Sequence, residues 1–166
     1  MFERLVVGVD PGMAATGLAV VAREGRSVRV IAATTVRTAA GTLEAERLRT
    51  VHAAVDAVLA EHGPEAVALE RLLWGRNVGS AMSVARASGV VMLAAASRGI
   101  PVHEYAPLEV KLAVAGDGTA GKQQVRRALE RLHRIEGLPN EADAADAVAV
   151  ALCHLQQSPA LRGAAR

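Results

Sequence analysis

The chain has 166 residues, of which 51% are hydrophobic, and a formal net charge of +2. This length and composition predict one globular domain that folds alone. No uncharged run reaches the roughly 18 to 20 residues of a membrane span, and charges interrupt the first residues where a secretion signal has its apolar core. We therefore expect a cytoplasmic protein without membrane contact. Its single cysteine, Cys153, excludes an internal disulfide and is expected in the core.

The first half of the chain predicts a β-meander followed by a helix and a strand. Apolar, β-branched runs at residues 4–9, 16–22 and 28–36 indicate three antiparallel strands. Apolar residues at helical spacing predict a helix over 42–62, ended by Gly63 and Pro64. A short strand over 66–70 follows. Because a helix precedes it, a right-handed crossover makes this strand parallel to an earlier one.

The second half predicts mostly helices. A helix over 78–97 is rich in small residues, which permits close approach either to the sheet or to a second subunit. A strand is predicted over 101–106, followed by helices over 109–115 and 123–134. A closing helix begins at Glu141. No linker divides the chain, so we expect a single α/β domain over residues 1–157 with a short tail, 158–166, of no assigned function.

One motif in this half is misleading. Residues 116–123, GDGTAGKQ, match the beginning of the phosphate-binding loop of nucleotide hydrolases. That loop requires Ser or Thr for Mg²⁺ where this chain has Gln123, and it follows a strand, whereas the preceding segment here is predicted to be helical. We interpret the stretch as a glycine-rich connection, with Lys122 still available to a phosphate.

Two acids follow predicted strands directly. Asp10 comes before Pro11 and Gly12 at the end of the first strand, and Glu70 closes the strand at 66–70. If these strands are parallel neighbours, both side chains emerge at one edge of the sheet, where functional groups of α/β proteins collect. The alternatives are a turn-forming role for Asp10 and an ordinary solvated position for Glu70.

The closing helix adds Asp143 and Asp146, spaced i, i+3 and therefore about 60° apart around its axis. With Asn140 as the N-cap, Asp143 is at the third helical position, where capping alone explains an acid. Asp146 lies beyond the first turn in an otherwise apolar helix, so its charge needs a partner or a metal. Glu141 points to nearly the opposite side and is interpreted as first-turn charge.

Four carboxylates converging on one edge require a cation. All-oxygen ligation favours Mg²⁺, with Mn²⁺ as a substitute, and the absence of a Cys or His cluster disfavours zinc. Two such ions can activate a water molecule and stabilise the leaving oxygen of a phosphodiester. The residues therefore favour a nuclease with two ions in each active site.

The sequence resembles the RuvC family of Holliday-junction resolvases, which has a ribonuclease H-like fold with a mixed five-stranded sheet flanked by helices. The resemblance spans about residues 4–154 and is carried by four segments in order: GVDPGMAATGLAVV, ALERLLWGRN, GVVMLAAASRGIPVHEYAPLEVKLAVAGDGTAGKQQV and ADAADAVAVALCH. It places Asp10, Glu70, Asp143 and Asp146 on the family's acidic metal-binding and catalytic positions. It implies a homodimer that nicks four-way DNA junctions in pairs with Mg²⁺, beside a branch-migration motor.

The resemblance also suggests DNA contacts. Lys111 and Lys122 match family lysines that face DNA. Lys122 begins a basic cluster with Arg126, Arg127, Arg131 and Arg134, the last three predicted on one helical face. Many members stack an aromatic residue on a base where this chain has Leu73; Trp74 either replaces it or packs internally. Arg76 and Asn77 in the same loop are further candidates.

Several alternatives stay open at this stage. One is a catalytically silent junction-binding module, and another is an actin-like or sugar-kinase-like phosphotransferase, whose first phosphate-binding hairpin is similar to residues 10–21. Some family members carry His where this chain has Asp143, so the resemblance leaves open whether Asp143 is a ligand, a base or both. The sequence preference of cleavage, the relative strength of Mg²⁺ and Mn²⁺, and the contact surface of the motor also stay open.

Overall fold

The computed structural model describes residues 3–73 and 78–157. Strands and helices follow one another in the order expected for a meander, a crossover and a helical second half. They are β1 (Arg4–Asp10), β2 (Ala15–Glu24), β3 (Ser27–Arg37), α1 (Glu44–His62), β4 (Ala66–Glu70), α2 (Val78–Ser97), β5 (Val102–Tyr105), α3 (Pro107–Ala115), α4 (Lys122–Arg127), a π-helical segment (Ala128–Leu132) and α5 (Ala142–Gln157).

The strands form one mixed sheet in the order β3-β2-β1-β4-β5. The pairs β1–β2 and β2–β3 are antiparallel, which confirms the predicted meander. The pairs β1–β4 and β4–β5 are parallel, which confirms the crossover that the intervening helix implied. The chain therefore has the mixed five-stranded sheet expected from the resemblance.

Each face of the sheet carries its own apolar layer, because successive strand residues point to opposite sides. Val7 and Val9 of β1 pack in the layer that α1 and α2 cover. Val6 belongs to the other layer, which α3, α4 and α5 cover. Most of α5 is buried there, including every residue from Ala147 to Leu155. The apolar run that closes the sequence is thus the central helix of this face.

The backbone of α5 lies unusually close to the sheet at two glycines. A Cβ atom added at Gly8 would be 2.0 Å from the carbonyl oxygen of Ala147, and one added at Gly17 would be 1.9 Å from that of Asp143. Both distances are far shorter than a van der Waals contact. These glycines therefore allow the helix to rest directly on β1 and β2.

The helix predicted over 123–134 differs from the structure. Its α-helical part ends at Arg127, the π-helical segment ends at Leu132, and Arg134 has a left-handed φ of 49°. The turn lets Ile135 become buried, and its amide donates to the carbonyl of Leu129. Arg134 lies beyond the helix, so the prediction that it shares a helical face with Arg127 and Arg131 is wrong.

Among the described helices, α2 has the length and apolar composition compatible with a membrane span, with a mean hydropathy of 1.4 over its most apolar window. The helix is two-sided, however. Val91, Ala94 and Ala95 are fully buried against the sheet layer, while Arg86 pairs with Glu44 of α1. Its composition is therefore explained by packing on one side and by an exposed, partly apolar surface on the other.

Candidate active site

Asp10 and Glu70 are the last residues of neighbouring parallel strands. The register pairs Val9 of β1 with Leu69 of β4, so the two acids leave the sheet side by side. Val9 and Leu69 belong to the layer under α1 and α2, and the acids that follow them therefore point to the opposite face, toward α5. The expectation that both carboxylates emerge at one sheet edge is confirmed.

This position raises the pKa of both acids. Burial is the largest cause for Asp10, and the charges of Glu70 and Asp146 add to it, together raising its pKa to about 8. Burial also raises the pKa of Glu70, although its hydrogen bond with Asp10 and the charges of Lys122 and Lys111 oppose this. The pair is therefore held in an environment that disfavours two negative charges unless a cation is close.

The closing helix delivers the other two acids. It begins at Ala142, and the carbonyl of Glu141 accepts the amide of Ala145 at 3.0 Å. The predicted N-cap, Asn140, is thus one residue too early, because the chain is still irregular at Glu141. Asp143 becomes the second helical residue, and Asp146 follows at the start of the buried stretch.

A cavity of about 280 Å³ lies at the end of β1 and β4. Acids, lysines and apolar side chains all line it: Asp10, Glu70, Asp146, Lys111, Lys122, Pro107, Val110, Val125 and Ala149. Asp143 does not line this cavity, although its charge contributes to the raised pKa of Asp10. The structure therefore brings three of the four predicted acids to one cavity and places the fourth within electrostatic range.

The two predicted lysines face the acids across this cavity. The ammonium of Lys122 donates to Oδ2 of Asp146 at 2.9 Å, and this hydrogen bond is the largest cause of the raised pKa of Lys122. Lys111 is carried by α3. The glycine-rich segment before Lys122 connects α3 with α4, and no strand leads into it. The interpretation of this segment as a helix connection is confirmed.

The donor set fits a hard divalent cation. In the described part of the chain, no three acidic, histidine or cysteine side chains surround a common ion position. Nevertheless, the cavity contains carboxylates and amines without a histidine or cysteine, and its acids are buried close to one another. Carboxylate oxygens in a cluster of negative charge are the ligands that Mg²⁺ and Mn²⁺ prefer.

The loop after β4 is only partly described. Leu73 has 56% of its surface exposed. Trp74, Arg76 and Asn77 lie outside the described residues, as does the tail 158–166. Before this loop departs, the amide of Arg71 donates to the carbonyl of Tyr105 at 2.8 Å. The loop therefore starts from a fixed point directly beside Glu70.

Sequence reasoning missed Gly17 as a contributor to the site. It is the register partner of Asp10 on β2, and it touches the backbone of Asp143. The available signal was a glycine inside an apolar strand, which often marks the close approach of another backbone. The sequence does not say which backbone approaches.

A ribonuclease H-like sheet with buried carboxylates at its edge defines a nuclease of the ribonuclease H-like class. The family model of the crossover junction endodeoxyribonuclease RuvC matches residues 6–154, and the chain belongs to this family. Its members are endonucleases that depend on a divalent metal. This membership favours the nuclease over the phosphotransferase considered from the sequence.

Individual relatives agree with this assignment. The RuvC of Mycobacterium avium is 46% identical over 162 residues, which is 97% of this chain and 86% of the relative. The RuvC of Heliobacterium modesticaldum is 43% identical, covering 90% of this chain and 92% of the relative. The structure of Thermus thermophilus RuvC in complex with Holliday junction substrate is similar with a TM-score of 0.84 and 37% identity, covering 92% of this chain and 93% of that one.

Proposed function

We propose that this protein is a cytoplasmic endonuclease that resolves four-way DNA junctions by paired, symmetric nicks during recombination and repair. The observation that carries the proposal is that one cavity is lined by the acids Asp10, Glu70 and Asp146 and also by the lysines Lys111 and Lys122. The similar Thermus thermophilus protein was solved with Holliday junction substrate. Carboxylates that hold cations and amines that contact phosphates are groups that metal-dependent phosphodiester cleavage can use together.

The acids would hold the metal. Asp10, Glu70, Asp143 and Asp146 would bind two Mg²⁺ ions, which Mn²⁺ can replace. When bound, the ions activate water and stabilise the leaving oxygen. The charge of Asp143 already acts on Asp10, which supports its inclusion although it does not line the cavity. Whether Asp143 serves as a ligand or as a base depends on the substrate complex.

The lysines would position the DNA. Lys122 uses one of its three N–H groups for Asp146, which leaves two for phosphate oxygens. Lys111 adds a second positive charge from α3. Contacts of this kind fix the backbone of the DNA without reading its sequence. In this proposal Leu73, Trp74, Arg76 and Asn77 of the adjacent loop contact the bases or backbone near the junction.

A homodimer with two such sites would make the paired nicks, because symmetric incisions require two sites related by a twofold axis. The outer surface of α2 suits this contact. Val78, Met82 and Leu93 on it are exposed despite their apolar character, and small residues between them would permit close approach. In this proposal a branch-migration motor works on the same junction. Residues 1–157 would form a single nuclease domain.

The decisive experiment compares wild type with Asp146→Asn on synthetic four-way junctions and on linear duplex. With Mg²⁺ the wild type should nick the junction symmetrically and leave the duplex intact, while the variant binds the junction without cutting it. Glu141→Gln is the matched control, because Glu141 lies on the same helix end outside the cavity and should leave cleavage unchanged.

Three outcomes would contradict this proposal. Cleavage that survives EDTA would exclude the metal role of the acids. Equal cutting of linear duplex would exclude junction specificity. Junction binding without any cleavage in Mg²⁺ or Mn²⁺ would instead support the catalytically silent binding module.

The dimer is tested separately by Leu93→Glu, which puts a charge on the exposed surface of α2. Sedimentation should change from dimer to monomer, and paired nicks should become single nicks. Leu132→Glu is the control, since Leu132 is also exposed but lies in the π-helical segment. An unchanged dimer in Leu93→Glu would exclude this surface.

A further inference from the structure

We propose that Gly17 is a positioning residue of the active site. Its missing side chain lets the first turn of α5 rest on β2, and this contact sets the positions of Asp143 and Asp146 relative to Asp10, the acids proposed to bind the cation. The inference rests on the proposed metal-dependent function and concerns a residue that does not itself touch the metal or the DNA.

The first argument is the nature of the contact. A Cβ atom at Gly17 would meet the carbonyl oxygen of Asp143 at 1.9 Å, its carbonyl carbon at 2.5 Å and the amide nitrogen of Ala144 at 3.2 Å. All three atoms belong to the helix backbone, so no side-chain rotation can relieve the collision. Any larger residue must therefore move the beginning of α5 away from the sheet.

The second argument is that nothing else demands glycine here. Gly17 does not adopt the left-handed backbone that favours glycine, unlike Gly63 or Gly116. Its strand is buried from Thr16 to Ala22, where glycine is a poor choice because it packs nothing and loses more conformational freedom on folding. The close approach of α5 is the feature that this glycine serves.

The third argument is location. Gly17 pairs with Asp10 across β1 and β2, and its contact on α5 is the backbone of Asp143 itself. Gly8 makes the same kind of contact one helical turn later, at Ala147, next to Asp146. The two glycines therefore determine how closely α5 packs on the sheet near Asp143 and near Asp146.

The test measures Mn²⁺ binding by electron paramagnetic resonance, together with thermal unfolding, for wild type, Gly17→Ala and Val55→Ala. Val55 is fully buried on the opposite face of the sheet, so its truncation lowers stability without touching α5. Gly17→Ala should fold and lose Mn²⁺ affinity by about tenfold or more. Val55→Ala should lose stability and keep the wild-type Mn²⁺ affinity.

A rescue variant separates positioning from general damage. In the Gly17→Ala background, Asp143→Glu or Asp146→Glu lengthens an acid by one methylene and should recover part of the lost Mn²⁺ affinity. The same longer acids in the wild-type background should bind Mn²⁺ no better than wild type. Junction binding in EDTA should stay at the wild-type level in Gly17→Ala, because the lysines remain in place.

The remaining outcomes contradict either this inference or the proposed function. Wild-type Mn²⁺ affinity in a folded Gly17→Ala variant would overturn the inference. Failure of Gly17→Ala to fold would overturn it as well, because the contact would then serve the whole fold. Absence of Mn²⁺ binding or junction cleavage in the wild type would instead contradict the proposed function, which keeps the two failures distinct.

Discussion

The ammonium of Lys122 and the carboxylate of Asp146 form an ion pair of 2.9 Å at the edge of the active-site cavity. The pair joins α4 to α5, and it places a positive charge beside an acid that would bind metal. Asp146 is only 29% exposed, whereas Lys122 is 79% exposed. Lys122 is therefore free to reach outward to a phosphate at little cost in folding energy.

We expect Lys122→Ala to slow junction cleavage strongly and to leave the melting temperature nearly unchanged. The physical reason is that an exposed ion pair adds little stability, whereas a cation at the scissile phosphate stabilises developing charge. Nicking rates and calorimetry check this. Arg49→Ala serves as control, since Arg49 also forms an exposed ion pair but lies on α1, outside the cavity and the basic cluster. A variant that unfolds, or one that cleaves at the wild-type rate, contradicts the expectation.

We expect Asp10→Asn to abolish cleavage and to raise the melting temperature in metal-free buffer by several degrees. Asp10 is buried beside other acids, which together with burial raise its pKa to about 8. Folding near neutral pH must therefore either bury its charge or take up a proton, and asparagine removes that cost. Adding Mg²⁺ should stabilise the wild type and not the variant. A lower melting temperature for Asp10→Asn without metal would show that the buried carboxyl group of Asp10 does not destabilise the fold.

A buried histidine makes stability depend on pH. His154 is 1% exposed; its Nδ1 lies 2.7 Å from the hydroxyl of Tyr105 and its Nε2 lies 3.4 Å from Arg4. Burial is the largest cause that lowers its pKa to about 4, and His103 and Arg4 add to the effect against the opposing charge of Glu65. Because Arg4 only donates, Nε2 accepts and Nδ1 carries the proton toward Tyr105.

The sign of the pH effect follows from this lowered pKa. The unfolded histidine takes up a proton near its ordinary pKa of 6.5, while the folded one stays neutral down to about 4. Its contribution to the free energy of unfolding is therefore complete above pH 6.5 and declines toward pH 4, by at most about 1.4 kcal/mol per pH unit.

Urea unfolding between pH 7.5 and 5 checks this contribution. The difference in free energy of unfolding between wild type and His154→Gln should shrink as the pH falls, because only the wild type loses the stabilising contribution of this histidine. Thr50→Ala on α1, which removes no titratable group, is the control and should give a curve parallel to that of the wild type. Parallel curves for His154→Gln would exclude the effect.

We expect Cys153 to be unreactive in the native protein. It is fully buried, and burial, with the charge of Glu109 as a second cause, raises the pKa of its thiol to about 11. Because the thiolate is the reactive form, both properties prevent attack on a disulfide reagent. Ellman's reagent should detect the thiol in denaturant only. Rapid labelling under native conditions would contradict its assignment as a core residue.

Much of this site could be predicted because hydrophobic patterning determines the strands. The runs ending at Asp10 and Glu70 fixed where the acids leave the sheet, and the crossover argument made those strands parallel. The ends of the later helices could not be predicted in the same way. The π-helical segment and the turn at Arg134 accompany the burial of Ile135, which is a tertiary contact that no local pattern records.

The contacts between helices and strands could not be predicted from the sequence either. The pairing of Lys122 with Asp146 depends on how α4 lies against α5, and the approach of Asp143 to Gly17 depends on the distance of α5 from the sheet. Neither distance follows from periodicity. The resemblance identified the acids, whereas the structure shows which side chains and backbone atoms hold them in place.

The parallel pairing of β1 with β4 has a consequence for how the active site assembles. Asp10 and Glu70 become neighbours only after the chain between them has folded back as α1, and α5 follows all five strands in the sequence. Because loop closure must precede such non-local contacts, this topology folds more slowly than one built from local contacts. A chain in which α5 has not yet packed on the sheet therefore lacks the assembled carboxylate cluster that the proposed cleavage requires.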